Sequence, residues 1–229
     1  MELGVMPSVK NAVERPGPLG QPTSDGEPAD GRAARSLRSR RAIVEAMRAL
    51  HAEGDLRPTA PRVAERAGVS VRTVWQQFAD METLLVEANR RDFEILKSLT
   101  KRIDPGLPLG ARVAGFTSQR ARILEQMTPT WRAARIHEPF SAELARSRAV
   151  TLAKARSELE TVFTTELAEL PVTRRQRLLD GLHAISIWSF WESLRTELGL
   201  GLEQAEDLFR HTFTALLSEA GFAAEPGFA

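Results

Sequence analysis

The chain of 229 residues has no cysteine. That excludes a disulfide scaffold and Cys-ligated zinc or iron–sulfur centres, and it fits a reducing cytosol. No apolar run approaches the ~18 residues of a membrane span. The first residues lack the basic-then-apolar order of a secretory signal. A cytoplasmic protein without membrane contact is therefore expected. Strand signals are nearly missing, with no sustained period-two alternation and no Asn-Gly or Asp-Gly hairpin between β-branched runs. Catalytic signatures are missing too: HExxH, the paired Glu-x-x-His of a di-iron bundle, a GxxxxGK phosphate loop and a Gly-x-Ser-x-Gly elbow. The four histidines, His51, His137, His183 and His211, are widely spaced. Asp180 and His183 could share a helix face but lack further ligands. No catalytic residue, metal or cofactor is expected; an all-α small-molecule enzyme or a helical adaptor is kept only as the alternative reading.

What the chain does have is a strong charge asymmetry beneath a net charge of +1. Residues 1–31 hold two basic and five acidic residues, together with five prolines and five glycines. Such a segment cannot bury enough surface to offset chain entropy, and it reads as a disordered arm. Residues 32–79 hold ten arginines against four acids, a net +6. An excess of this kind suits a polyanion, although a solvated helix face can also produce it.

From residue 32 onward the pattern is helical. Ala42, Ile43, Ala46, Met47 and Leu50 form a 3.6-period stripe that ends near Gly54. Helices are expected near 60–67, 71–78, 81–102, 108–127, 130–137, 141–169, 173–198 and 203–220. The organisation expected is an arm over 1–31, a small helical part over 32–80 and a larger helical part over 81–229. The helix from Met81 follows the short pair too closely for a floppy linker and serves both parts.

The informative stretch runs from Thr59 to Phe78. Thr59 can cap a helix with Pro61 in its first turn. Gly68 stands where a tight turn needs positive φ, and Ser70 can cap the next helix. Val63, Ala67, Val69, Val74 and Phe78 supply a shared core. This is the layout of a helix-turn-helix whose second helix enters the major groove, although any tight helix pair can use the same small residues. Val71, Arg72 and Thr73 lie in the first turn of that second helix, and guanidinium forks suit guanine edges and phosphates.

The order Thr59, Val63-Ala64-Glu65-Arg66-Ala67-Gly68-Val69-Ser70, Thr73-Val74, Phe78 and Glu82-x-Leu84-Leu85 resembles the TetR family of bacterial transcriptional regulators. The likeness is detailed over about 35–90; beyond that it is one of size and helical content. It implies an all-α fold: an N-terminal three-helix helix-turn-helix domain and a C-terminal helical domain for ligand binding and dimerisation. It also implies a homodimer on double-stranded operator DNA, usually a repressor released by a small ligand of unknown identity. The residues expected at the DNA are Arg40, Arg41, Thr59, Ser70, Val71, Arg72, Thr73, Trp75 and Gln76. The chain departs from the family at three places. Trp75 stands where Tyr is usual, Gln76 where His or a similar residue is usual, and Met81 where Lys is common. Met81 cannot hold a phosphate, so Arg40, Arg41 or Arg72 is expected to take over that contact.

For the larger part, a mostly apolar ligand is expected among Phe116, Met127, Trp131, His137, Phe163, His183 and Trp188, although aromatics at helical spacing more often belong to the core. The last two helices form a hairpin around Leu198-Gly199-Leu200-Gly201-Leu202. The resemblance implies that it pairs with a second copy through Leu182, Ile185, Trp191, Leu208, Phe213 and Leu216.

Overall fold

The computed structural model describes residues 29–223, and these contain helices and no strands. The arm expected over 1–31 lies outside the described residues, apart from residues 29–31, which begin the first helix. That helix, α1 (Ala29–Ala52), buries Ile43, Val44, Ala46, Met47 and Leu50. It stops at Gly54, whose φ of 90° lets the chain turn back. Helices α2 (Ala60–Ala67) and α3 (Val71–Gln77) follow. At their junction Gly68 takes φ 65°, its N–H bonds to Glu65 O, and the Val69 N–H bonds to Ala64 O. Two of the four orphan carbonyls at the end of α2 are thus satisfied, and a side chain at Gly68 would be strained.

Helix α4 (Met81–Leu99) is capped by Asp80, which accepts from the Thr83 N–H at 2.7 Å; that bond holds the Asp80 carboxyl below its usual range. Leu84, Leu85 and Ala88 of α4 join Ile43, Met47, Val63, Val74 and Phe78 in one apolar core, which Ala133 and Leu144 close from beyond. Packing is therefore continuous across residue 80.

The rest of the chain comprises α5 (Leu109–His137), a 3-10 turn (Glu138–Phe140), α6 (Ala142–Val162), α7 (Thr164–Glu169), α8 (Val172–Ser186), α9 (Trp188–Glu192), a π turn (Ser193–Glu197) and α10 (Leu202–Glu219). Three boundaries differ from the sequence reading. First, α5 runs unbroken through Pro129. The helix is buried on both sides of that residue, through Ile123, Leu124, Met127 and Ala133, and this packing outweighs the lost N–H. Second, the helix expected over 141–169 divides at Phe163, whose ring is fully buried against Phe116 and Phe213 at 5.7 and 5.3 Å. Third, the helix expected over 173–198 ends at Ser186, because Ile187 is extended. This turn aims two indoles at α5: Trp188 Nε1 donates to Thr128 Oγ1 at 3.0 Å, and Trp191 Nε1 donates to Glu125 Oε2 at 2.8 Å.

A second core unites Phe116, Leu124, Leu159, Phe163, Leu182, Trp191, Phe209, Phe213 and Leu217. Beside it Arg112 and Glu166 form a buried ion pair, 5% and 7% exposed. Arg112 Nη1 donates to Glu166 Oε2 and to Val162 O, each at 2.8 Å. The pair is fully desolvated, so losing one partner would strand a charge.

Candidate nucleic-acid interface

Ser70 starts α3 as the sequence predicts. Its Oγ accepts from the Thr73 N–H at 3.1 Å and lies 2.9 Å from Thr73 Oγ1. Thr73 is consequently half-buried and occupied by the cap. Val71, Arg72, Trp75 and Gln76 share the opposite face and are exposed, Trp75 by 45%. Behind them Val74 and Phe78 are buried, which prevents this short helix from rotating. Val71 and Trp75 thus leave apolar surface in water on one face of α3.

Arg40 is engaged within the protein itself. Its guanidinium lies over the Phe78 ring at 4.3 Å, donates to Gln77 O at 2.6 Å and sits 3.8 Å from Glu87. It satisfies an orphan carbonyl at the end of α3 and clasps that helix to α1 and α4. Gln77 reinforces the clasp by donating to Ser36 Oγ at 3.0 Å. Arg62 and Arg66 are likewise engaged, with Asp55 and Glu53. Arg41 and Arg72 are exposed and form no ion pair among the described residues. Thr59 occupies the N-cap position of α2, yet its hydroxyl makes no cap bond and is exposed. Met81 is half-buried and packs against the first core, so a long cation there would lose apolar contact.

An alternating chain of charges runs from α3 along α1 and α4. From the Arg40 clasp it passes through Glu87, Arg90, Glu94, Arg91, Glu45 and Arg48 to Asp92. Half of its members are exposed, and pairs among those contribute little. The last link differs. Asp92 is 2% exposed and accepts from Arg48 Nε at 2.8 Å. Burial raises the Asp92 pKa, Arg48 opposes that shift, and the second carboxylate oxygen has no partner among the described residues.

A small cavity of about 80 Å³ lies between α4, α5, α6 and the α8–α9 turn. Trp131 and Trp188, two of the residues expected at a ligand, line it, together with Phe93, Leu152, Asn89 and Ser147, which sequence reasoning missed. A polar Asn89 on the buried face of α4 was the signal available; it donates to Ser147 Oγ at 2.7 Å. The other expected lining residues lie elsewhere. Phe116, Met127 and Phe163 are packed core with no surface facing the cavity. His183 is half-buried on α8 and does not line it; its pKa is lowered by burial, then by Arg156 and Arg120. His137 borders a different hollow. Of the expected pairing residues, Leu182, Trp191 and Phe213 are fully buried in this protomer's own core and leave no surface for a second copy. Ile185 and Leu216 are half-buried, and Leu208 is 36% exposed.

Fold and site together define a helical protein that presents a helix-turn-helix. Residues 43–88 match the family model for bacterial regulatory proteins of the tetR family, and this segment belongs to the TetR family. No curated protein matches the chain. Two solved structures are similar across most of the body. One, from Mesorhizobium loti MAFF303099, is described as a TetR-family transcriptional regulator; it is 19% identical, with a TM-score of 0.59, covering 81% of this chain and 98% of that one. The other, a transcriptional regulator from Rhodococcus sp. Rha1, is 19% identical, with a TM-score of 0.60, covering 80% and 96%. At this identity the likeness is one of fold. No described helix is long and apolar enough to cross a membrane.

Proposed function

We propose that the chain is a cytoplasmic, homodimeric, sequence-specific DNA-binding repressor that a small, mostly apolar ligand releases from its operator. The observation that carries this reading is the outward face of α3: Val71, Arg72, Trp75 and Gln76 exposed on a helix that Ser70 caps and Arg40 clamps. Arg72 reads a base edge, Trp75 and Thr59 meet the backbone, and Arg41 supplies a phosphate contact. Two copies about 34 Å apart are needed for a specific half-site pair. Of the residues expected there, Ile185, Leu208 and Leu216 on α8 and α10 keep surface for that pairing. The ligand occupies the cavity between Trp131 and Trp188. A cavity of about 80 Å³ is small beside the several hundred Å³ of ordinary ligand pockets, so a larger ligand must favour a conformation in which the α8–α9 turn moves outward. Helix α4 lines the cavity through Asn89 and Phe93 and is tied to α3 through Glu87 and Arg40, which makes it the lever.

Selection of bound sequences from random duplexes tests this function. A palindromic motif with half-sites about one helical turn apart supports it. Failure to enrich any motif in dilute buffer removes it. Sedimentation at micromolar concentration tests the dimer separately, and a monomer there removes that part.

A further inference from the structure

A second hollow, of about 240 Å³, opens where α1, the α1–α2 loop, the start of α4 and the α5–α6 corner meet. Its apolar lining comes from Met47, Leu56, Pro58, Met81 and Leu85. Phe140 also lines it while remaining 85% exposed, an unusual state for a ring with an apolar hollow beside it. Two charges of opposite sign border the same space: Arg57 from the loop and Glu82 from the first turn of α4. Both are exposed, and neither side chain makes an ion pair or hydrogen bond with another described residue. His137 borders the hollow and senses both. Burial lowers its pKa first, Arg57 lowers it further, and Glu82 acts in the opposite direction. The shift disfavours the charged ring, so His137 adds little positive charge beside Arg57. Ser141 Oγ is already engaged in capping α6.

We propose that this seam is a second small-molecule site, and that it takes a small apolar zwitterion. The carboxylate would meet Arg57, the ammonium would meet Glu82, and the hydrocarbon would fill the hollow beside Phe140. A simple anion would face Glu82, a simple cation would face Arg57, and an uncharged hydrocarbon would leave both charges partly desolvated without compensation. The volume is that of about eight water molecules, which suits a molecule of about eight to twelve heavy atoms. Amino acids with branched or aromatic side chains are the simplest members of this class. Such a ligand ties the loop that leads into α2 to the start of α4. The site is separate from the cavity at Trp188, and its existence does not depend on which DNA the protein binds.

Titration calorimetry of the full chain without DNA tests the site, using L-leucine and L-phenylalanine as probes, with hydrocinnamate and phenethylamine lacking one charge each. The expected result is millimolar or tighter binding of an amino acid, weakened about tenfold or more when either charge is removed from the probe. Arg57→Gln and Glu82→Gln should each give a similar loss, and Trp188→Ala should leave binding unchanged. The analogue series on the unaltered protein stands whether or not a variant folds. The proposal is overturned by no heat from either amino acid at about 10 mM, by equal binding of the singly charged analogues, or by a loss that follows Trp188→Ala and spares both seam variants.

Discussion

The helix-turn-helix and the helical body use arginine in opposite ways. In the body, two arginines are internal fasteners: Arg112 is buried with Glu166, and the buried Arg120 pairs with the half-buried Glu158. On α3, Arg72 is held out to solvent by a helix whose other residues keep it there. The contrast separates charge tied into the fold from charge left in water, and Arg40 is of the first kind despite its place in the basic segment.

The largest expected effect that sharpens this contrast lies in the body. Glu166→Ala strands the Arg112 guanidinium and should destabilise the fold by about 3–5 kcal/mol, read as a lowered midpoint in urea or thermal unfolding. A change under about 1 kcal/mol would mean that the pair is not desolvated in solution. The next effect belongs to His51, which is 2% exposed and whose pKa is lowered to about 4, chiefly by burial. An unfolded histidine protonates as pH falls through about 6.5, whereas the folded one resists until about 4. Stability is therefore complete above pH 6.5 and falls as pH drops toward 4, by about 3 kcal/mol in total. His51→Gln should flatten unfolding free energy measured across that window, and an unchanged slope would remove His51 as the cause.

On the exposed side the effects shrink and turn from stability to recognition. Arg72→Ala should cost about 1–3 kcal/mol on the selected operator, with little change on random duplex or in melting temperature. Equal losses on both DNAs would move Arg72 from base reading to phosphate contact. Arg41→Ala should have the smallest effect: a uniform weakening on all duplexes, with the salt slope reduced by about one. A sequence-selective loss there would break the division of labour between the two arginines.

How much could be read in advance followed the same divide. Gly68 and Ser70 were legible because a left-handed turn and an N-cap are local requirements, met within about four residues of chain. The stripe from Ile43 to Leu50 was legible because its period is that of the helix itself. The internal role of Arg40 was not legible because the Gln77 carbonyl and the Phe78 ring that occupy it come from a distant part of the chain. Leu182, Trp191 and Phe213 were misread as pairing residues because an apolar helix face looks the same whether its own body or a second copy covers it.

The sequence by itself determined that the chain is helical, where the tight turn falls and which helix carries the outward residues Val71, Arg72 and Trp75. Those features depend on backbone preferences and periodicity over a few residues. Only the tertiary structure decided that α5 runs through Pro129, that the chain breaks at Phe163 and Ile187, and that Trp131 and Trp188 line a cavity while Phe116 does not. Burying an aromatic ring or satisfying an indole N–H against a distant helix outweighs local propensity, and that competition is resolved only when the whole core is assembled.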